Sequence, residues 1–150
     1  MLAVKQIQAE DCRVLRHLVL WPHLSSAEDC IIDIDDSDGA FHLGAFSGDK
    51  LISIASFFLQ KNSQFSEEKQ YRLRAMATHP DYRRIGIAKA IMEFAFKKLK
   101  SDAQDLLWCD ARIVAVDFYR SLGMSVLGNQ YEIPMIGTHF LMFKRVNSEK

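Results

Sequence analysis

The segment from Thr78 to Ala88 places two adjacent arginines and a glycine directly before a helical pattern. Guanidinium groups such as those of Arg83 and Arg84 match the geometry of phosphate oxygens. Gly86 lets a ligand approach the backbone closely, and the first turn of the helix supplies unpaired N–H groups at the positive end of its dipole. The segment therefore predicts a site for a phosphorylated ligand.

A solvated loop in front of a glycine-initiated helix would use the same residue types. The segment lacks the lysine-containing phosphate loop of nucleotide hydrolases and the three-glycine dinucleotide fingerprint. Because short glycine motifs are weakly specific, spacing alone leaves both interpretations open.

The positive charge of the chain is concentrated around this turn. Residues 69–100 contain nine Lys or Arg and two Asp or Glu, although the formal net charge of the whole chain is zero. A general nucleic-acid-binding protein needs a larger positive excess, so we exclude that class. A compact polyanion such as a phosphorylated cofactor fits the distribution.

Composition predicts one globular domain over residues 1–150, with 49% hydrophobic and 25% charged residues. No apolar run approaches the ~20 residues of a membrane helix, and the N-terminus does not read as a secretory signal. Cys12, Cys30 and Cys109 are widely spaced, so we expect neither a metal site nor a disulfide framework. Reduced thiols predict a cytoplasmic protein, and the lack of a long apolar run predicts one that does not bind membranes.

Hydrophobic periodicity predicts an α/β fold with a mixed sheet in the order β-α-α-β-β-β-α-β-α-β-β. We expect strands at 4–7, 40–46, 51–59, 70–78, 106–109, 125–133 and 138–146, with helices at 9–20, within 25–38, at 86–100 and at 112–121. The strand–helix–strand unit over 70–109 should be right-handed, which makes its two strands parallel.

The strand 70–78 and the helix after it carry the clearest patterns. Alternation predicts Tyr71, Leu73, Ala75 and Ala77 on one face of the strand, with Arg72, Arg74 and Met76 on the other. Helical spacing predicts an apolar stripe of Ala88, Ile91, Met92, Ala95 and Leu99. The stripe would cover one face of the sheet.

The pattern Arg83-x-x-Gly86-x-Ala88 between a strand and a helix resembles the cofactor-binding signature of the GCN5-related N-acetyltransferase (GNAT) superfamily. The later segment Asp110-Ala111-Arg112, Ala115, Phe118-Tyr119 and Gly123-Met124 is similar to the second cofactor segment of that family. The segment 137–144 resembles the last strand of some members. The chain departs from the family pattern with Asp110 for Asn, Met124 for Phe and Thr138 for Pro.

The resemblance implies acetyl-CoA as acyl donor and direct transfer of its acetyl group to an amine, with no metal. In this family the fourth and fifth strands splay apart, and the pantetheine arm enters the gap between them. The residues implied to line the pantetheine and thioester are Met76, Ala77 and Thr78. Those implied to wrap the pyrophosphate are Arg83, Arg84, Ile85, Gly86, Ile87 and Ala88; Lys89 reads more safely as a surface lysine.

The resemblance also implies catalytic roles. Tyr119 matches the family tyrosine that protonates the CoA thiolate, although an anchor between a helix and the core would use the same residue. His139 is the candidate base, and a histidine bonded to backbone at a strand start is the alternative. We expect His79 to be structural and Cys109 to be a buried core cysteine that carries no acyl group.

The acceptor amine is not specified by the sequence. The acidic stretch 28–38 would suit a cationic amine but reads equally as a solvated surface, and Trp21, Phe41, Phe57 and Phe58 would supply aromatic surface or core. Two other functions stay open, a non-catalytic CoA-binding regulatory domain and an interaction module without a nucleotide. Edge strands would also permit a homodimer.

Overall fold

The computed structural model describes residues 2–147. Seven strands form one sheet in the order β1-β2-β3-β4-β5-β7-β6. Their bounds are β1 Leu2–Ile7, β2 Phe41–Ser47, β3 Lys50–Phe58, β4 Gln70–Thr78, β5 Leu106–Arg112, β6 Ser125–Ile133 and β7 Gly137–Arg145. β4 and β5 run parallel, and the other neighbouring strands of the sheet are antiparallel. The mixed α/β architecture and the predicted order of the strands along the chain are confirmed.

The helices differ in regularity. The predicted helix at 9–20 consists of a 3-10 turn, Ala9–Cys12, the short α-helix α1, Arg13–Leu15, and a π-helical turn, Arg16–Leu20. The long helix α2 spans Ile87–Ser101, and α3 spans Val116–Ser121 after a 3-10 turn, Ile113–Ala115. Two further 3-10 turns cover Ala27–Asp29 and Pro80–Tyr82. Within residues 2–147, no helix has both the length and the apolar character that a membrane crossing requires.

The irregular winding at 9–20 changes which side chains are buried. Leu15 is buried, whereas Val14 and Leu18 are 67% and 49% exposed. The helical spacing of Val14, Leu15, Leu18 and Val19 in the sequence predicts a shared apolar stripe, and this prediction is wrong for Val14 and Leu18. The change of helix type within this segment rotates them away from the sheet.

The two faces of the sheet bury different clusters. α2 covers one face with Ile87, Ile91, Met92, Ala95 and Leu99, and α3 adds Val116 and Tyr119 to the same cluster. The stripe predicted for α2 is confirmed except at its first turn, where Ile87 rather than Ala88 is buried. The opposite face holds two smaller clusters, one of Cys12, Leu15, Ile54 and Ala77, the other of Phe65, Leu106, Trp108 and Leu141.

A β-bulge in β4 reverses its alternation. Ser56 pairs with Arg74 and Ile54 with Ala77, so one residue of β3 faces two residues of β4. Ala75 lies in this bulge with a φ of +55°, a left-handed conformation that costs a non-glycine residue free energy. Met76 consequently packs on the α2 face and Ala77 on the opposite one. The prediction that simple alternation continues through Met76 and Ala77 is wrong for this reason.

A buried ion pair fixes the chain between α1 and β2. Arg16 is completely buried, and its Nη1 and Nη2 each donate to a carboxylate oxygen of Asp35 at 2.8 Å. Nη2 also donates to Ser56 Oγ, which in turn contacts His42 Nδ1 at 2.8 Å. Asp35 therefore belongs to the core, and the interpretation of the whole acidic stretch as a solvated surface is wrong at this position.

Burial by itself raises the pKa of Asp35. The hydrogen bonds from Arg16 and from the Ile32 amide outweigh burial and hold that pKa below its usual range. A depressed folded-state pKa stabilises the fold at pH values above the unfolded pKa of about 3.9. This contribution is lost as the pH falls through the folded pKa.

Replacing Asp35 by Ala should lower the free energy of unfolding by about 3–5 kcal/mol, because it leaves the Arg16 cation buried without its partner. Denaturant titration at neutral pH measures the loss. Asp33→Ala is the matched control, since Asp33 is an exposed carboxylate two residues away. Similar stabilities for the two variants would contradict the structural role of the ion pair.

Candidate active site

A cavity of about 440 Å³ lies where β4 and β5 separate. The two strands pair only over Gln70–Arg72 and Leu106–Trp108 among the described residues, although both continue beyond that point. The expectation of splayed fourth and fifth strands agrees with this short pairing. The cavity is lined by Leu20, Trp21, Arg72, Leu73, Arg74, Ala75, Met76, Cys109, Asp110, Ala111, Arg112, Val114, Ala115, Tyr119, Ile133, Ile136 and His139.

Tyr119 forms the wall on the α2 side of the cavity. Its hydroxyl donates to Met76 Sδ at 3.9 Å, and only 8% of the residue is exposed. Burial, together with the nearby Cys109, raises the pKa of Tyr119. The phenol is therefore a neutral donor at physiological pH, and its acceptor, the thioether of Met76, is a weak one.

Cys109 lies beside this wall and is 3% exposed. Burial and the neighbouring Asp110 raise the pKa of its thiol, so the thiol stays protonated. A protonated thiol is a poor nucleophile. The prediction that Cys109 is a buried core cysteine is confirmed.

Asp110 connects the strands on the other wall. Arg72 Nη2 donates to Asp110 Oδ2 at 2.7 Å, and the Tyr131 hydroxyl donates to Oδ1. Burial and this hydrogen bond to Asp110 raise the pKa of Tyr131. The guanidinium of Arg72 also lies 4.9 Å from the centre of the Trp108 ring. Both oxygens of Asp110 are thus engaged by side chains of the protein.

His139 is 4% exposed at the start of β7 and lines the cavity. Its Nδ1 lies 2.8 Å from the carbonyl oxygen of Gly137, so Nδ1 carries the proton and donates. Nε2 then keeps its lone pair and can accept a proton. The backbone contact at a strand start is the alternative raised by the sequence, and it coexists with a position on the cavity wall.

The arginine–glycine turn lies before α2. Gly86 caps the helix with a φ of +82°, and a Cβ added there would meet open space. Arg84 also has a positive φ of 66°, and successive turns of this kind direct backbone N–H groups into a concavity. Within residues 2–147, the backbone amides of residues 84–89 donate no hydrogen bond.

The structure separates the predicted site residues into two groups. Met76, Tyr119 and His139 line the same cavity. Ala77 and Thr78 lie at the end of β4, and Arg83, Arg84, Ile85 and Gly86 form an exposed turn that leads into Ile87 and Ala88 at the start of α2. His79 accepts from the Asp81 amide through Nδ1, so its predicted structural role is confirmed.

The aromatic and acidic residues considered for an acceptor pocket lie in different parts of the structure. Trp21 lines the cavity, whereas Phe41, Phe57 and Phe58 are buried in the core. No residue of the stretch 28–38 lines the cavity. The suggestion that these acids form the acceptor wall is therefore not supported by the geometry.

Sequence reasoning missed the cations of the cavity. Arg72 and Arg74 lie on one face of β4, and both line the cavity together with Arg112. Two arginines on one face of a central strand were the available signal, since buried cations need partners. Tyr131, which binds Asp110, carried no comparable signal.

Comparisons with known proteins agree with this fold. The model of the Acetyltransferase (GNAT) family matches residues 2–124. The chain is 39% identical to the uncharacterized N-acetyltransferase YitI of Bacillus subtilis (strain 168) over 150 residues, which cover all of both chains.

Solved structures share the fold at low identity. The ribosomal-protein-S18-alanine N-acetyltransferase of Escherichia coli has a TM-score of 0.76 and 17% identity, covering 100% of this chain and 97% of that one. An aminoglycoside 6'-N-acetyltransferase complexed with coenzyme A has a TM-score of 0.78 and 14% identity, covering 99% of each chain.

Proposed function

The chain belongs to the acetyltransferase (GNAT) family and is an N-acyltransferase that uses acetyl-CoA, and we propose that it transfers the acetyl group directly to an amine in the cavity between β4 and β5. The observation that carries this proposal is the placement of Met76, Tyr119 and His139 around one opening in the sheet. Acetyl-CoA supplies the activated acyl group as a thioester. The side chains described here would bind it, orient it and move protons.

The turn 83–88 would bind the pyrophosphate. Three observations support this assignment. The backbone amides of residues 84–89 have no acceptor within residues 2–147, Arg84 and Gly86 have positive φ angles, and the space beside Gly86 is open. The two guanidinium groups are exposed. Within residues 2–147, the guanidinium of Arg83 makes only a long contact, from Nε to Thr78 O at 3.4 Å. Both are therefore available to phosphate oxygens.

The free edge of β4 would hold the pantetheine arm. Residues 73–78 have no strand partner on the β5 side among the described residues, so their backbone groups there can pair with the amides of an extended ligand. Met76, Ala77 and Thr78 lie on this edge. A backbone N–H near Met76 or Ala77 would also stabilise the oxyanion that forms during transfer.

Tyr119 would donate its proton to the departing thiolate. The support is that Tyr119 lines the cavity and that its hydroxyl donates to Met76 Sδ, a weak acceptor that a thiolate in the cavity can replace. The phenol is neutral, so the proton is present before transfer begins. His139 would remove the proton of the attacking amine through Nε2, since Nδ1 is held by Gly137.

We further propose a cytoplasmic location. The three cysteines are free and buried, which agrees with a reducing compartment.

Reversing both charges with Arg83→Glu/Arg84→Glu should raise the Kd of CoA at least tenfold, which is about 1.4 kcal/mol. The reason is the loss of two charge-assisted contacts to the pyrophosphate and their replacement by repulsion. Isothermal titration calorimetry measures the affinity. Lys61→Glu/Lys97→Glu makes the same change of net charge at exposed positions and should leave the Kd within about twofold. Equal affinity of the turn variant and the unmodified chain would remove the pyrophosphate assignment.

Replacing Tyr119 by Phe should lower kcat by about 10²–10⁴-fold while leaving the Kd of CoA nearly unchanged, because it removes only the acidic hydroxyl. Release of the CoA thiol in the presence of an amine panel measures turnover. Tyr71→Phe is the matched control: its buried hydroxyl donates to Gly39 O outside the cavity, so kcat should persist. Unchanged turnover in the Tyr119 variant would exclude this tyrosine as the acid.

A further inference from the structure

Arg74 is a half-buried cation on the cavity wall that forms no direct ion pair within the described chain. Among residues 2–147 it makes no hydrogen bond, ion pair or ring contact, whereas the buried Arg16 binds Asp35 and the half-buried Arg72 binds Asp110. Burial, and then the positive charges of Arg72 and Arg16, lower the pKa of Arg74 by more than the carboxylates of Asp35 and Asp110 raise it. A guanidinium keeps its charge under such conditions, so this position favours an added anion.

The charges around the cavity cannot supply that anion. Arg72, Arg74 and Arg112 line it, and Asp110 is the only acid among the lining residues. The Asp110 oxygens already accept from Arg72 and from Tyr131. The cavity therefore carries an excess of positive charge, which disfavours polycationic acceptors and attracts an acceptor with an anionic group.

The excess charge also suits the chemistry of an amine nucleophile. An amine attacks a thioester only in its neutral form, and cations close to an ammonium group lower its pKa. Met76, which contacts Tyr119, lies two residues after Arg74 on the same strand. Arg74, Met76 and Tyr119 all line the same cavity, in which we place the transfer.

Part of the remaining cavity wall is apolar. Leu20 ends the first helical segment and Trp21 follows it, while Ile133 ends β6 and Ile136 lies in the turn before β7. Such walls bury a hydrocarbon body, while a single guanidinium binds a carboxylate through two parallel hydrogen bonds.

We propose that the acceptor is an amine that carries both a carboxylate and an apolar group, such as a free amino acid with an apolar side chain. Arg74 binds the carboxylate of this acceptor. The inference rests on the proposed function, because it assigns the acceptor of the same site. It names Arg74 as a residue that determines specificity, whereas the acyl-transfer chemistry stays with Tyr119 and His139.

The test uses leucine, methionine and phenylalanine, each compared with its carboxamide and with the amine that lacks the carboxyl group. Phosphoethanolamine distinguishes a phosphate from a carboxylate. Release of the CoA thiol from acetyl-CoA measures turnover. For at least one of the three amino acids, kcat/KM should be at least tenfold higher than for its carboxamide and for the amine without the carboxyl group. Arg74→Gln should abolish this preference mainly through KM, and Arg74→Lys should restore part of it. Lys97→Gln, which removes an exposed charge from α2, should behave as the unmodified chain.

Binding provides a readout that does not depend on turnover. With CoA present, calorimetry should detect the preferred amino acid, and Arg74→Gln should weaken its binding at least tenfold without changing the Kd of CoA. A preference for the derivatives that lack the carboxylate, or for phosphoethanolamine, would overturn the inference. A preference for the amino acid that persists in Arg74→Gln would also overturn it. Binding of the amino acid that depends on Arg74, without release of thiol, would instead contradict the proposed transfer reaction.

Discussion

The separation of β4 from β5 is the constraint on which the site depends. Parallel pairing ends after Arg72 and Trp108, and the bulge at Ala75 turns β4 away from a regular ladder. Backbone groups that a continuous sheet would use internally are thereby left at the edge of a cavity. The left-handed conformation of Ala75 costs free energy, and such strain is common where a backbone serves a ligand rather than the fold.

Opposite faces of the sheet contribute different chemistry to this opening. The α2 face supplies an apolar wall with the neutral phenol of Tyr119, and the other face supplies the arginines and the Asp110 network. The buried pair of Arg16 and Asp35 anchors the segment that leads to Trp21. A donor and an acceptor can therefore approach from two sides and meet between the strands.

Periodicity and spacing were sufficient for the order of strands and helices, because apolar runs mark the buried central strands and an apolar stripe marks the long helix. They failed where the local geometry is irregular: the bulge exchanged the faces of Met76 and Ala77, and the change of helix type exposed Val14. The turn before α2 and Tyr119 were identified by motif. Arg74 was not, because the absence of a partner is a property of three-dimensional packing that no single sequence window contains.

A crystal structure of the chain with acetyl-CoA tests the central claim most directly. The account predicts that the pantetheine arm lies between β4 and β5 along residues 76–78 and that its sulfur lies within about 3.5–4 Å of the Tyr119 hydroxyl. Electron density for the donor outside this gap, or a sulfur beyond the reach of Tyr119, would contradict it.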